Sequence, residues 1–202
     1  MTNENSKSQK DPSKDEIAGI IELLKSNKLI EAKKEVNKKS SQFPNSSVLF
    51  NLLGAILFNQ GELKEAIEKY KVSIKLNSDY AQAYNNLGLT YFKLNKIDDA
   101  ILNYKKAISL KKDLAEALFN LGNAFLHSDK NNESLEYFNK ALELKPNYAE
   151  VYNSIGGAYE NLGNRNFALK NYKEAVRIKP DYFEAYTNLG VLFIELSQFN
   201  DA

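Results

Sequence analysis

The sequence predicts an all-α chain built from consecutive antiparallel helical hairpins, and the spacing of its glycines is the first observation behind this prediction. Five of the nine glycines follow one another at intervals of 34 residues: Gly54, Gly88, Gly122, Gly156 and Gly190. A fixed period of this length is typical of repeat proteins, in which each unit contacts only its neighbours. The 202 residues therefore count structural units rather than independent domains.

The second observation is that the residues around each glycine repeat with helical spacing. A large side chain precedes each glycine by four residues, an aliphatic one precedes it directly, and another large apolar one follows it by three. One unit shows the pattern as Tyr84, Leu87, Gly88 and Tyr91. Spacings of three and four place side chains on one face of a helix. Each glycine is thus predicted to lie in the first helix of a hairpin.

The third observation is a second periodic stretch that starts twelve residues after each glycine. A small residue is followed by an aromatic residue and then by another small one, as in Ala66, Tyr70 and Ser73. These residues predict a second helix that closes the hairpin. Between the two helices, one position per unit is expected to adopt a left-handed or helix-ending conformation. The residues at this turn position are Gly61, Asn95, Asp129, Gly163 and Ser197.

The period also sets the boundaries of the units. Full repeats are predicted at 47–80, 81–114, 115–148 and 149–182, with a truncated repeat at 183–202. Because the last unit stops as its second helix should begin, we expect the native polypeptide to continue beyond Ala202.

The N-terminal residues are predicted to form a cap. Residues 13–46 are interpreted as a degenerate capping repeat in which Ile20 replaces the glycine. Ser13 and Glu16 have the spacing of a capping box at the start of its first helix. Residues 1–12 are predicted to be a disordered tail.

Composition narrows the class of protein. Lys and Arg number 27 against 26 Asp and Glu, so no basic field indicates nucleic-acid binding. Cysteine is absent and histidine occurs once, which excludes thiolate and two-histidine metal sites. We find neither a signal peptide nor an apolar run of the roughly 18 residues that a membrane span needs. These features predict a cytoplasmic protein without membrane contact, metal or cofactor.

No set of residues indicates catalysis. His127 has no cysteine to activate, and carboxylates such as Glu65 and Glu68 alternate with lysines as solvated ion pairs do. The pair Gly156 and Gly157 lacks the lysine and hydroxyl residue of a phosphate-binding loop. The sequence therefore predicts no catalytic residue and no enzyme activity in this chain.

The repeated pattern of large residue, aliphatic residue, glycine, alanine, aromatic residue and proline resembles the tetratricopeptide repeat over residues 13–202. The family's proline is present as Pro146 and Pro180 but replaced by Ser78 and Lys112. This resemblance implies a right-handed superhelical solenoid whose first helices line a concave groove. It also implies a protein-interaction scaffold that holds a peptide or a partner protein in that groove.

The groove position that the resemblance implies is rich in asparagine. An amide both donates and accepts, so it can bind a peptide backbone irrespective of sequence. The candidate peptide-binding residues are Asn51, Asn85, Asn86, Phe92, Phe119, Asn120, Asn123, Asn153 and Asn188. Asn86, Asn120 and Asn188 occupy the position of the asparagine ladder in O-linked N-acetylglucosamine transferases, and the sequence is similar to that subtype. Leu52 and Ser154 interrupt the ladder.

Two features qualify this interpretation. Asparagine is abundant throughout the chain, so some of these amides could have no binding role. Glu116, Glu150 and Glu184 recur early in the first helices. They would repel an acidic ligand and favour a neutral or mildly basic one, unless they only form a solvated edge.

Three functions remain open from the sequence. The chain could be a free-standing adaptor that binds a peptide. It could be the substrate-presenting region of a larger glycosyltransferase or sulfotransferase. It could also associate with itself through its open C-terminal end, because unpaired hairpin surfaces are complementary.

Overall fold

The computed structural model describes residues 11–200, with side chains as far as residue 195. Within this range the chain forms eleven helices and no strand, which confirms the predicted all-α class. The helices are α1 (Lys14–Lys25), α2 (Leu29–Gln42), α3 (Ser47–Asn59), α4 (Leu63–Leu76), α5 (Ala81–Lys93), α6 (Ile97–Leu110), α7 (Ala115–His127), α8 (Asn131–Leu144), α9 (Ala149–Asn161), α10 (Arg165–Ile178) and α11 (Phe183–Asn200). Odd-numbered helices up to α9 are the first helices of hairpins, and the next helix completes each hairpin. The chain divides into two compact units between Asp99 and Ala100.

Part of what the sequence predicts at the two termini lies outside the described residues. This applies to residues 1–10 of the predicted tail and to Ala202, the small residue expected in a further second helix. The unit boundaries from the 34-residue period stay predictions.

The turns inside the hairpins use a left-handed residue, as predicted for four of them. Positive φ angles are found at Asn27 (56°), Gly61 (82°), Asn95 (57°), Asp129 (57°) and Gly163 (72°). Glycine adopts this conformation without a steric penalty, and asparagine and aspartate are the side chains that tolerate it best.

The turn predicted at Ser197 is wrong, because α11 continues through this position to Asn200. Serine enters the left-handed region much less readily than glycine, asparagine or aspartate. The position therefore does not end the helix, although it has the same register as the other turns.

The periodic glycines lie where an aromatic ring of the second helix contacts the first. A Cβ atom added to Gly54, Gly122 or Gly156 would lie 2.6, 2.5 or 2.4 Å from a ring carbon of Tyr70, Phe138 or Tyr172, respectively. All three rings are buried. Each hairpin of this kind therefore requires a residue without a side chain beneath its ring.

The contact at the glycine position is different in the first hairpin and on α11. In the first, Ile20 and Val36 occupy the glycine and ring positions, and both are buried in one cluster. At Gly190 on α11, an added Cβ would meet nothing within 4 Å. Among the described residues, the close contact is found where a glycine faces an aromatic ring sixteen residues later.

The predicted capping box starts α1. Ser13 Oγ accepts a hydrogen bond from the Glu16 backbone N–H at 3.3 Å, and the Ser13 N–H donates to Glu16 Oε2 at 2.9 Å. Lys39 of α2 forms an ion pair with the same carboxylate. The hydrogen bond from Lys39 and those from Ser13 lower the pKa of Glu16 from 4.5 to about 2.

This shift predicts a pH dependence of stability. Because the folded state lowers the Glu16 pKa, ionised Glu16 stabilises the fold above about pH 4.5, and the benefit disappears as pH falls towards about 2. We expect Glu16→Gln to melt at a lower temperature than the wild type at pH 7. The difference should shrink between pH 4.5 and pH 2, measured by circular dichroism. A gap that stays constant across this range would contradict the assignment.

Candidate functional site

The predicted peptide-binding residues all lie on first helices, including the exposed helix α11. Asn51 is on α3, Asn85, Asn86 and Phe92 are on α5, Phe119, Asn120 and Asn123 are on α7, Asn153 is on α9, and Asn188 is on α11. Those on α3 and α5 belong to the first compact unit and the others to the second. Each set is described by itself.

In the first unit, asparagines of neighbouring first helices hydrogen-bond to each other. Asn86 Nδ2 on α5 donates to Asn51 Oδ1 on α3 at 3.0 Å. Asn51 Nδ2 donates to the hydroxyl of Tyr80 at 3.4 Å, and Gln82 Nε2 donates to Asn86 Oδ1 at 3.1 Å. Asn51 is buried, whereas Asn86 is half-buried. The inner amide therefore ties the two helices together and the outer one reaches the surface.

The second unit repeats this network three periods later. Asn188 Nδ2 on α11 donates to Asn153 Oδ1 on α9 at 3.0 Å, and Asn153 Nδ2 donates to Glu184 Oε1 at 3.1 Å. Asn153 is buried and Asn188 half-buried. Burial, with the nearby charges of Glu184 and Glu150, raises the pKa of Tyr182 to about 12, so its hydroxyl is protonated at neutral pH. An asparagine pair of the same spacing is thus described in each unit.

The two asparagine pairs run diagonally from one repeat to the next. Asn51 and Asn86, like Asn153 and Asn188, are separated by 35 residues rather than by the 34 of the repeat. Asn86 and Asn188 at the predicted ladder position therefore bond to the first helix of the preceding hairpin, one position earlier in the repeat. One repeat pair carries Phe119 and Ser154 at these two positions and so has no asparagine at either. The similarity to the transferase ladder subtype is not supported.

Burial separates the candidate residues into two groups. Asn51, Asn85, Asn120 and Asn153 are buried, and Asn86, Phe92, Phe119, Asn123 and Asn188 are half-buried. The ring of Phe119 packs in the core region, 5.2 Å from that of Tyr148 and 6.1 Å from that of Phe138. The outer asparagines are therefore better placed to contact a ligand than the inner ones.

The acidic residues of the first helices have structural partners. Lys179 Nζ lies 3.1 Å from Glu150 Oε1. Burial opposes ionisation of Glu150, but a backbone hydrogen bond and Lys179 keep its pKa below the ordinary value. Glu184 accepts the hydrogen bond from Asn153 described above. Each carboxylate is therefore held in place by a partner, Glu150 by Lys179 and Glu184 by Asn153.

Sequence reasoning missed the tyrosines that support the asparagine pairs. Tyr80 accepts from Asn51, and Tyr182 hydrogen-bonds to Asn153. Tyrosine recurs at this position at Tyr80, Tyr148 and Tyr182. That recurrence, together with the 35-residue asparagine spacing, is the signal that could have revealed the network.

Comparison with known families is consistent with the repeat pattern. A family model described as TPR repeat matches residues 54–95, 88–129 and 166–197. A second model, described as tetratricopeptide repeat, matches residues 115–148. No curated protein sequence matches the chain.

Solved structures share the fold. The crystal structure of MamA is 28% identical, with a TM-score of 0.66, and the match covers 79% of this chain and 93% of MamA. YrrB, described as a TPR protein with an unusual peptide-binding site, is 22% identical with a TM-score of 0.64, covering 90% and 92% of the two chains. TTC0263, described as a thermophilic TPR protein in Thermus thermophilus, is 15% identical with a TM-score of 0.77, covering 89% and 98%.

Among the described residues, none of the helices combines the length and the apolar character that a membrane crossing requires.

Proposed function

The chain belongs to the tetratricopeptide repeat family, whose members are commonly protein-interaction scaffolds, and from this premise we propose that its first helices bind an extended peptide segment of a partner protein. The observation that carries the proposal is the position of Asn86 and Asn188. Each is held by a buried asparagine on the first helix of the preceding hairpin and is itself half-buried. The fold alone does not define a function, so the proposal rests on these two side chains.

The outer asparagines retain hydrogen-bonding capacity. A primary amide has two N–H donors and two acceptor lone pairs. Asn188 donates one hydrogen bond to Asn153. Asn86 donates one to Asn51 and accepts one from Gln82. Because the inner asparagine fixes the rotamer, less side-chain entropy is lost when a peptide binds. A donor and an acceptor in a fixed orientation suit the backbone of an extended peptide.

Charge favours a neutral or mildly basic peptide. The carboxylates of Glu150 and Glu184 lie near the second asparagine pair, and Glu116 and Glu184 are exposed on α7 and α11. An acidic peptide would be repelled here, whereas the backbone amides of a neutral one would not.

The proposal is tested by replacing both outer asparagines. We expect the double variant Asn86→Ala with Asn188→Ala to weaken binding of peptides selected from a random phage-displayed library by about three- to tenfold, since the site in each unit loses one neutral hydrogen bond. Far-ultraviolet circular dichroism should stay unchanged, because water can replace the lost bonds at half-exposed positions. Isothermal titration calorimetry with the selected synthetic peptides measures the affinities.

Asn132→Ala is the matched control, because Asn132 is exposed on the second helix α8. It should leave the affinity at the wild-type value. Equal affinities for the wild type and the double variant would overturn the assignment of the outer asparagines.

The other two functions stay predictions. Exposed Phe183 and Ile194 on α11 are the feature that favours association with a second copy. A role in presenting substrates to an attached transferase domain and a cytoplasmic location stay predictions from the sequence.

A further inference from the structure

A recess separate from the asparagine pairs lies in the unit that begins at Ala100. Residues of α8, α9 and α10 line it. It has a volume of about 530 Å³, within the roughly 300–1,000 Å³ range of ligand pockets. We call it the aromatic cleft, and its relevant lining residues are Asn139, Tyr152, Tyr159, Phe167, Lys170 and Asn171. The cleft shares no residue with the asparagine pairs, so it is separate from the site proposed above.

The corresponding position one repeat earlier is covered by the protein's own side chains. Phe125 is the counterpart of Tyr159 there. The ring of Tyr137 stacks on Phe125 with centroids 5.4 Å apart and an interplanar angle of 17°. The ammonium groups of Lys105 and Lys130 lie 5.7 and 5.9 Å from the Phe125 centroid. An aromatic ring and two cations thus fill this position.

The aromatic cleft is open because all three covering residues are replaced in the next repeat. The counterparts of Tyr137, Lys105 and Lys130, 34 residues later, are Asn171, Asn139 and Asn164. Asparagine is too short to extend across the neighbouring ring. The loss of the Tyr137 ring leaves room for an aromatic group supplied from outside.

Phe167 adds an exposed aromatic wall at a position that is otherwise acidic. The other described repeats carry Glu31, Glu65, Asp99 and Glu133 here. Phe167 is 56% exposed, and its ring stacks on Tyr159 at 5.1 Å with an interplanar angle of 25°. A large exposed ring in place of a solvated carboxylate contributes little to the core. It extends the aromatic surface on which a ligand ring could stack.

The charges at the cleft favour an anion beside that ring. Glu174 also lines the cleft, but both of its oxygens accept hydrogen bonds from Arg177, at 2.8 and 2.5 Å. These contacts lower its pKa and compensate its charge. Lys170 is the cation of the lining; its charge also helps to lower the pKa of Glu174, but no salt bridge within 4 Å is found for it among the described residues.

We propose that the aromatic cleft binds an aromatic side chain of a partner peptide that is flanked by a carboxylate. The ring occupies the place that Tyr137 fills in the preceding repeat and stacks against Tyr159 and Phe167. The carboxylate pairs with Lys170. This site goes beyond the function proposed above, because it lies on other helices and selects the opposite charge.

The absence of tryptophan from the chain provides a direct assay. The probe is a synthetic peptide, acetyl-Gly-Asp-Trp-Asp-Gly-amide, whose tryptophan is excited selectively while the protein is titrated. We expect a saturable blue shift as the ring leaves water. A peptide with lysine in place of both aspartates should bind more weakly. Because the whole chain has a net charge of only +1, such a preference reports the local charge of the cleft.

Three variants test the residues without threatening the fold, since each introduces a residue type found at that position in another repeat. Asn171→Tyr restores the cover seen at Tyr137 and should abolish the shift. Phe167→Glu restores the acidic residue and should weaken binding about three- to tenfold, the range of one aromatic stacking contact. Lys170→Glu should remove the preference for the acidic peptide.

Glu133→Gln, at the position of Phe167 one repeat earlier, is the matched control and should bind as the wild type does. The double variant of Asn86 and Asn188 should also bind this probe normally, which separates the cleft from the asparagine site. Wild-type affinity in both Asn171→Tyr and Phe167→Glu, or equal affinity for the acidic and basic peptides, would overturn the proposal.

Discussion

Replacing Gly156 by alanine is expected to lower the free energy of unfolding by about 2 kcal/mol. This net value is the cost of overpacking minus the gain from the better helix propensity of alanine. The new Cβ would lie 2.4, 2.5 and 2.9 Å from three carbons of the Tyr172 ring. Contacts this short force either the ring or the backbone of α9 to move.

The Tyr172 ring has little freedom to move away. It is buried, and its hydroxyl donates a hydrogen bond to Glu160 Oε2 at 2.7 Å. Shifting the ring would break this bond and disturb the contact between α9 and α10. The strain should therefore appear as lost stability, which urea unfolding monitored by circular dichroism measures.

Two other glycines serve as controls for the change to alanine. A Cβ on the adjacent Gly157 would lie 3.8 Å from the Tyr172 hydroxyl, and one on Gly190 would meet nothing within 4 Å. At both positions alanine should be neutral or stabilise the fold by up to about 1 kcal/mol through helix propensity. If all three variants were equally stable, the register of the hairpin would be wrong.

The second large effect is expected on removing the ring above Gly122. Phe138 is fully buried and packs directly on this glycine. Phe138→Ala should cost about 3–5 kcal/mol because it deletes a buried aromatic side chain and leaves a cavity. Thermal and urea unfolding of the variant measure this loss.

The first hairpin suggests how this cavity can be refilled. There Ile20 and Val36 hold the glycine and ring positions, and both are buried. We expect Gly122→Ile combined with Phe138→Val to be more stable than either single variant, because the volume moves from one helix to the other. Additive destabilisation in the double variant would contradict a direct contact between the two positions.

The hairpins could be predicted because the steric requirement that shapes each of them involves residues of a single repeat. Glycine and a ring sixteen residues later recur together, and each such pair reflects a steric requirement at one contact. The turn at Ser197 could not be judged in this way, because register alone does not determine whether a residue ends a helix.

The candidate site was harder to predict because its contacts join different repeats. Asn85 and Asn86 are adjacent on one helix and differ by about 100° in direction, yet Asn85 is buried and Asn86 half-buried. Only the packing of the neighbouring helix decides which amide faces inwards. The same holds for Phe119, which occupies an asparagine position but packs against Tyr148.

The two kinds of contact, rings on glycines inside hairpins and asparagine pairs between first helices, have a mechanical consequence. A load applied to the ends of either compact unit acts on both kinds of contact in series. The joint between these hairpins consists of the Asn51–Asn86 hydrogen bond and of Leu87 on α5 packed in the same cluster as Tyr70. Within the hairpin, α4 packs more extensively on α3, where Tyr70 contacts Gly54. The joint between hairpins should yield before the hairpin does. Each hairpin that then unfolds would release on the order of 110–120 Å of extended chain. The molecule would therefore lengthen in steps, which limits the force on a bound partner.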